Sequence, residues 1–140
     1  MGTYMTGPIE TGTGLDNTGA DTGTVTLAQT ALINFNATLV QNATFALPAN
    51  AQIVDFYVDV LTAFDSATSA TLSAGTASGG TQYLSGISVK TAARRPNAFS
   101  AAQLAAMDDI GTNTALVATV TSVGQPTAGQ VRVTVLYVQN

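Results

Sequence analysis

The chain has 140 residues, of which 46% are hydrophobic and only 9% are charged, and its net charge at pH 7 is −4. This length fits one domain with a sizeable core, and the acidic balance argues against a nucleic-acid partner, because phosphate binding needs clustered Lys and Arg. The chain contains no Cys and no His, which excludes disulfides, thiolate nucleophiles, imidazole bases and the usual zinc, copper and haem ligands.

The scarcity of charge predicts a surface made mostly of Thr, Ser, Asn, Gln, Gly and Ala. Globular proteins have about 25% charged residues, and soluble monomers rely on charge for solubility. A surface with so little charge is typical of proteins that function outside cells or within large assemblies, where neighbouring subunits cover it.

No export signal or membrane span is expected. Residues 1–8 lack the basic and apolar regions of a secretory signal, and the apolar stretch at residues 53–61 is interrupted by Asp55 and Asp59. We therefore expect synthesis in a host cytoplasm without a signal peptide, no membrane partner, and a final location in a virus particle, which leaves the cell by lysis.

Residues 1–24 are predicted to form a flexible N-terminal arm. They are rich in Gly and Thr and contain few large apolar groups, so they cannot bury enough surface to offset the entropy of ordering. We expect this arm to be disordered or to lie on a partner, and residues 25–140 to form the folded domain.

From residue 24 onward the pattern indicates β-strands. Val25 and Leu27 alternate with Thr residues, and the hydrophobic signal continues to Phe35. A second strand is predicted at residues 42–47 and ends at the turn-forming residues 48–50.

The clearest predicted strand follows that turn, with strict alternation typical of a half-buried antiparallel strand. Its expected inward row is Val54, Phe56, Val58 and Val60, and its outward row is Asp55, Tyr57, Asp59 and Leu61.

Further strands are predicted at residues 70–76, 116–120 and 131–138, and residues 124–129 are expected to form a hairpin loop between the last two. The last strand has an inward row that is expected to face the Phe56 row across the sandwich. Its outward row is half apolar, and we expect another subunit to cover it. The inward residues are Val131, Val133, Val135 and Tyr137, and the outward residues are Arg132, Thr134, Leu136 and Val138.

One short helix is predicted after Phe99. Ser100 as the N-cap residue and Gln103 three positions later form the pattern of a capping box, and Phe99 and Leu104 are spaced for a hydrophobic staple. Gly111 is expected to take the left-handed position after the helix. Six or seven short strands and one helix predict an all-β, antiparallel β-sandwich or jelly-roll-like fold.

No constellation of residues predicts catalysis. Asp55 and Asp59 share one strand face but lie about 13 Å apart, more than the roughly 5–9.5 Å between the carboxylates of glycosidases, so we interpret them as solvated side chains. Asp108 and Asp109 are a weak calcium candidate. A Ser–Lys pair at Lys90 lacks the required spacing. We therefore expect no enzyme activity, no catalytic residues, no metal site and no cofactor.

Lys90, Arg94 and Arg95 hold three of the four positive charges. They are expected to occupy an exposed loop between a strand and the helix. Two interpretations remain: solvated loop charge, or a docking patch for carboxylates of a partner protein, to which Arg side chains are suited.

Three segments, residues 46–64, 70–77 and 129–139, resemble a family of small virion structural proteins of tailed bacteriophages. The similarity extends over roughly residues 25–140. It implies a capsid decoration (cement) protein that binds the major capsid protein on the outside of the head, often as a homotrimer. The alternative is a tail or fibre component with a receptor- or carbohydrate-binding sandwich, which would need exposed aromatic residues, with Tyr57, Tyr83 and Phe99 as the candidates.

Overall fold

The computed structural model describes residues 24–36 and 38–139. This part of the chain folds into two four-stranded antiparallel sheets and one short helix, so the β-sandwich expected from the sequence is confirmed. The predicted arm, except for its last residue, lies outside the described residues. The elements are β1 (Thr26–Asn34), β2 (Val40–Ala46), β3 (Gln52–Thr62), β4 (Ser69–Gly75), β5 (Leu84–Ser88), β6 (Arg94–Arg95), α1 (Ala101–Asp108), β7 (Ala115–Val123) and β8 (Gln130–Val138).

The strands pair from both ends of the chain inward. β1 pairs with β8, β2 with β7, β3 with β6, and β4 with β5. Two further ladders, β3 with β8 and β4 with β7, complete sheet A in the order β1-β8-β3-β6 and sheet B in the order β2-β7-β4-β5. This nested order is that of a jelly roll.

The nested pairing corrects two predictions. β7 and β8 belong to different sheets, so residues 124–129 form a crossover between the sheets and not a hairpin loop. β8 also lies beside β3 within sheet A, where Val135 is opposite Phe56 and Val133 is opposite Val58. The inward rows of these two strands are therefore neighbours on one inner face and do not face each other across the sandwich.

A β-bulge changes the predicted inward row of β3. Ile53 is opposite Tyr137 and Asp55 is opposite Leu136, so Val54 is the extra residue in the ladder. Val54 is 47% exposed whereas Ile53 is 3% exposed. The prediction that Val54 faces inward is wrong, because a bulge reverses the side on which the preceding side chains lie.

The core lies between the two sheets and is mainly aliphatic. The inner face of sheet A contributes the buried residues of β3 and β8, and the inner face of sheet B contributes those of β4 and β7. β-Branched side chains dominate because they pack well on a pleated surface. The fully buried members include Phe56, Val58, Leu72, Leu116, Val120, Val131, Val133 and Val135.

Two loops at one end of the sandwich are tied together by Asp65. Its carboxylate accepts hydrogen bonds from the Thr127 hydroxyl, from the Thr127 N–H at 2.6 Å and from the Ala128 N–H at 3.1 Å. These bonds, with that of the Thr127 hydroxyl the strongest, hold the pKa of Asp65 below its usual value. Beside them, a Cβ at Gly129 would come within 2.6 Å of the Phe64 ring, so only glycine fits this position.

The start of α1 agrees with the sequence prediction in its cap but not in its staple. The Ser100 N–H donates to Gln103 Oε1 at 2.9 Å and the Gln103 N–H donates to Ser100 Oγ at 3.2 Å, which is the reciprocal capping box. Leu104 is 53% exposed. Phe99 packs against the core, with its ring centroid 6.4 Å from that of Phe56, and not in a staple with Leu104.

α1 does not end with Gly111 in the position directly after the C-cap, as the sequence predicted. Asp109 is the C-cap residue in an extended conformation, and Ile110 follows it into the core, where its N–H donates to the Ala51 carbonyl at 3.0 Å. Gly111 has a φ of 61°, but it lies one position beyond the predicted site. Burial of Ile110 therefore accompanies the end of the helix.

The bulge gives a test of the β3 register. Phe56→Ala is expected to lower the free energy of unfolding by about 3–5 kcal/mol, because a buried ring is lost and a cavity remains. Val54→Ala, two positions earlier, is expected to change it by less than about 0.5 kcal/mol, because the removed methyl groups face solvent. Urea denaturation followed by circular dichroism measures both. Similar losses for the two variants would place Val54 in the core and contradict the bulge.

Candidate interaction surfaces

The register of sheet A aligns four residues in one row across its outer face. Leu32 of β1 is opposite Arg132 of β8, Arg132 is opposite Asp59 of β3, and Asp59 is opposite Arg94 of β6. Because directly opposed side chains on one face are close neighbours, this row brings one carboxylate between two guanidinium groups. The next row places Tyr57 of β3 beside them.

Asp59 binds both arginines. Its Oδ1 accepts from Arg94 Nε at 2.6 Å, and its Oδ2 accepts from Arg94 Nη2 and from Arg132 Nη2, each at 3.0 Å. The Asp59 side chain is only 10% exposed, whereas those of Arg94 and Arg132 are 61% and 45% exposed. The two guanidinium groups thus cover the carboxylate and themselves remain in contact with solvent.

The ion pairs change the protonation of Asp59. The hydrogen bond from Arg94 contributes most, burial opposes it, and Arg132 adds a second hydrogen bond, so the pKa of Asp59 falls from 3.8 to about 2. The carboxylate is therefore ionised at neutral pH. The earlier interpretation of Asp59 as a solvated side chain is wrong, because the register supplies two cationic partners.

Arg94 also lies over an aromatic ring. Its guanidinium carbon is 4.6 Å from the centre of the Tyr57 ring, within range of a cation–π interaction. We call the outward side chains of Arg94, Arg132, Asp59 and Tyr57 the arginine face. Two guanidinium charges against one carboxylate leave these four side chains with a net positive charge, opposite in sign to the whole chain, and Asp55 lies two rows away on the same side of β3.

The predicted docking patch is not one patch. The Lys90 ammonium donates to the Ser66 carbonyl, and Arg94 belongs to the arginine face. Arg95 is opposite Val58, on the other side of β6 from Arg94, and its Nε is buried with no hydrogen-bond partner among the described residues. The three cations are neighbours in the sequence, but β6 and the loop before it place their side chains in different directions.

Arg132 is the residue that sequence reasoning missed. It was placed correctly on an outward row, but its partner depends on which strand lies beside β8 and in which register. The available signal was that the outward rows of β3 and β8 carry opposite charges, Asp59 on one and Arg132 on the other. Opposite charges on neighbouring strands favour their pairing.

The predicted calcium candidate shows no assembled ligand set. Asp109 accepts the Gly111 N–H at 2.8 Å as part of the helix end, and Asp108 is exposed. Among residues 24–36 and 38–139, no group of three or more Asp and Glu side chains is placed to hold a metal ion.

The outer face of sheet B forms a second surface with different chemistry. None of the residues in β2, β4, β5 and β7 carries a charge. The outward side chains are small and neutral, and we call them the uncharged face. They are Val40, Asn42 and Thr44 of β2, Val117, Thr119, Thr121 and Val123 of β7, and Ser69, Thr71 and Ser73 of β4.

Part of the uncharged face is covered by the chain itself. Thr119 is fully buried: its hydroxyl donates to Asn42 Oδ1 at 2.8 Å and accepts the Gly79 N–H at 2.9 Å. The Ser78 hydroxyl donates to the same Asn42 oxygen at 3.0 Å. The loop between β4 and β5 is therefore fixed over the middle of the sheet and leaves the end near Val40 open.

That open end is apolar. Val40 is opposite Thr121 and Leu39 accepts the Ser122 N–H through its carbonyl, so both lie beside the end of β7, where Val123 is exposed. Exposed apolar side chains grouped at one place are typical of an interaction site.

Comparison with known proteins identifies no relative. No family model, no curated protein and no solved structure matches this chain. In the part of the chain that the structure describes, no helix is long and apolar enough to cross a membrane.

The pKa of Asp59 gives a prediction for acid stability. Because this pKa is about 2 in the folded protein and 3.8 in the unfolded chain, the stabilisation is complete above about pH 4 and is lost as the pH falls toward 2. With allowance for the exposed arginines, Asp59→Asn is expected to lower the free energy of unfolding at pH 7 by about 1–2 kcal/mol. This difference from wild type should disappear near pH 2.

The matched control is Asp55→Asn. Asp55 lies on the same face of β3, its carboxylate accepts the Phe56 N–H, and it forms no ion pair with any described residue. Urea denaturation between pH 2 and pH 7 measures all three proteins. If Asp59→Asn lowers the free energy of unfolding by the same amount at pH 2 and at pH 7, the loss of the ion pairs is not the cause.

Proposed function

We propose that this protein is a virion structural protein that binds the outer surface of a phage capsid as a decoration or cement protein and stabilises the head. Its partners in this proposal are the major capsid protein and further copies of itself in a homotrimer. The observation that carries the proposal is the uncharged face with its open apolar end. We propose no catalytic role.

The uncharged face favours association because covering it with a partner costs little desolvation free energy. Removing a charged side chain from water is costly unless it is paired, whereas Thr, Ser and Val side chains are transferred at much lower cost. The apolar side chains of Val40 and Val123 add a favourable contribution when water is excluded from them. A protein with 9% charged residues also has few charged side chains whose desolvation would oppose association.

A capsid lattice makes weak contacts sufficient. Each copy that binds through such a face contributes a modest free energy, but linked copies raise the effective concentration of their neighbours. The jelly-roll order is also found in viral capsid proteins, although lectins and cupins share it. The fold is therefore compatible with the proposal and does not by itself assign it.

The alternative role in a tail or fibre receives less support. Tyr83 is buried and Phe99 packs against Phe56, so two of the three aromatic residues named for it are not available for stacking on a sugar. Tyr57 is exposed, but Arg94 lies over its ring. These residues do not form the aromatic platform that a carbohydrate-binding surface requires.

The location of the protein tests the proposal directly. In particles purified from the phage that encodes this chain, quantitative mass spectrometry is expected to find a copy number comparable to that of the major capsid protein. An electron-microscopy map should show a two-sheet density on the outside of the shell. A few copies per particle located at the tail would favour the alternative, and absence from particles would overturn both.

Substitution on the uncharged face tests the surface itself. The double variant Val40→Lys with Val123→Lys is expected to lose binding to particles that lack the protein, because two ammonium groups would have to be desolvated at the interface. Its free energy of unfolding should change by less than about 1 kcal/mol, because both side chains are exposed. Co-sedimentation measures binding and urea denaturation measures stability.

Leu104→Lys is the matched control. Leu104 and Val123 are both 53% exposed, but Leu104 lies on the helix and not on sheet B. This variant should co-sediment like the wild-type protein. If the double variant binds particles as well as the wild-type protein does, the uncharged face is not part of the interface.

A further inference from the structure

The N-terminal segment carries acidic side chains but no basic ones. Residues 1–23 contain Glu10, Asp16 and Asp21 and no Lys or Arg, whereas all four basic side chains lie between Lys90 and Arg132. All charged side chains of this N-terminal segment are therefore acidic. The only group of basic residues that forms a common surface in the described part of the chain is the arginine face.

The arginine face has capacity for a second carboxylate. A guanidinium group has several N–H donors in a planar fork, and Asp59 accepts two hydrogen bonds from Arg94 and one from Arg132. Both side chains are exposed, and no other hydrogen bond joins their donors to residues 24–36 and 38–139. An incoming carboxylate can therefore bind without displacing Asp59.

Apolar groups flank these donors. Leu32 is in register with Arg132 and is 52% exposed, and Leu61 follows Asp59 by two positions and is 45% exposed. In the acidic segment an aliphatic residue directly precedes each of two carboxylates, as Ile9-Glu10 and Leu15-Asp16. The face and the segment are thus complementary in both charge and apolar character.

The length of the chain decides which carboxylates can reach this face from the same molecule. β1 begins at Thr26, and Leu32, which marks the arginine row, lies six residues further along, or about 20 Å at the usual strand rise. A segment that turns back before Thr26 must cover this distance again. It needs about six extended residues and at least two more for the turn.

Two of the three acidic residues meet this requirement. Asp16 and Glu10 precede Thr26 by ten and sixteen residues, whereas Asp21 precedes it by only five and is too close. Gly19 and Gly23 lie between Asp16 and the strand, where they favour a reversal of the chain.

We propose that the segment containing Glu10 and Asp16 binds the arginine face of its own chain, with its carboxylates on Arg94 and Arg132. This inference goes beyond the capsid-binding proposal and does not depend on it. The segment would compete there with any acidic partner.

Spin labels on the full-length protein test this proposal. Because the chain has no Cys, the substitutions Thr18→Cys and Thr62→Cys give unique labelling sites, one beside Asp16 and one on the row next to Asp59. Thr26 and Thr62 are about 27 Å apart along the strand direction. We expect a label separation below about 20 Å at low salt and a broad distribution near 30 Å at 1 M salt, where charges are screened beyond about 3 Å.

Substitutions that remove the charge of a carboxylate show which acidic residues bind the arginine face. In the same labelled protein, Glu10→Gln with Asp16→Asn is expected to give the broad distribution already at low salt. Asp21→Asn removes a charge from a residue that cannot reach the face, and it should leave the short separation unchanged. Equal distributions for the labelled parent and the Glu10→Gln, Asp16→Asn protein would overturn the proposal.

Dilution distinguishes binding within one molecule from exchange between copies. Mixing the doubly labelled protein with an excess of unlabelled protein should leave the short separation unchanged. Its loss on mixing would show that the segment binds a neighbouring copy and would overturn the intramolecular proposal. All measurements use free protein, so their failure leaves the capsid proposal unaffected, and loss of particle binding leaves this one unaffected.

Discussion

The antiparallel pairing of β8 with its two neighbours, β1 and β3, determines both sides of sheet A. On the inner side, it places Val135 beside Phe56, and both side chains are fully buried in the core. On the outer side, the same register places Arg132 against Asp59. Because side chains alternate between the faces, a shift of one residue would bury a guanidinium and expose the valines. The hydrophobic core therefore also fixes the geometry of the charged surface.

The two sheets differ in how their outer faces meet solvent. Sheet A has a carboxylate that is only 10% exposed and is covered by two arginines, whose side chains are 61% and 45% exposed. Sheet B has no charge in any strand and relies on hydroxyl groups and small aliphatic side chains. One face thus favours contacts that weaken with salt, and the other favours contacts that do not. An assembly that uses both can be sensitive to ionic strength in its formation and resistant to it once complete.

Some local features were predictable from the sequence, and features that depend on distant residues were not. The capping box of Ser100 and Gln103 involves residues three positions apart, and the alternation around Phe56 is contained within one strand, so both were found. The bulge at Val54 and the partner of Asp59 depend on β8, which lies more than seventy residues away. Residues 124–129 have the composition of a turn, but composition does not indicate whether the next strand joins the same sheet. The uncharged face was foreseen as a property of the surface, whereas its location on sheet B required the fold.

The nested order of strand pairs has a consequence for how the protein is made. Among the strands of the described residues, β4 and β5 are the only sequential ones that pair, so they can associate early, whereas β1 must wait for β8, which follows it by about a hundred residues. Until then β1 and β3 lack the strand that lies between them, and their uncovered hydrogen-bonding edges can pair with other chains. We expect sheet A to fold slowly and only after β8 has been synthesised, and the yield of native protein to depend on chain concentration and on chaperones more than its final stability would indicate.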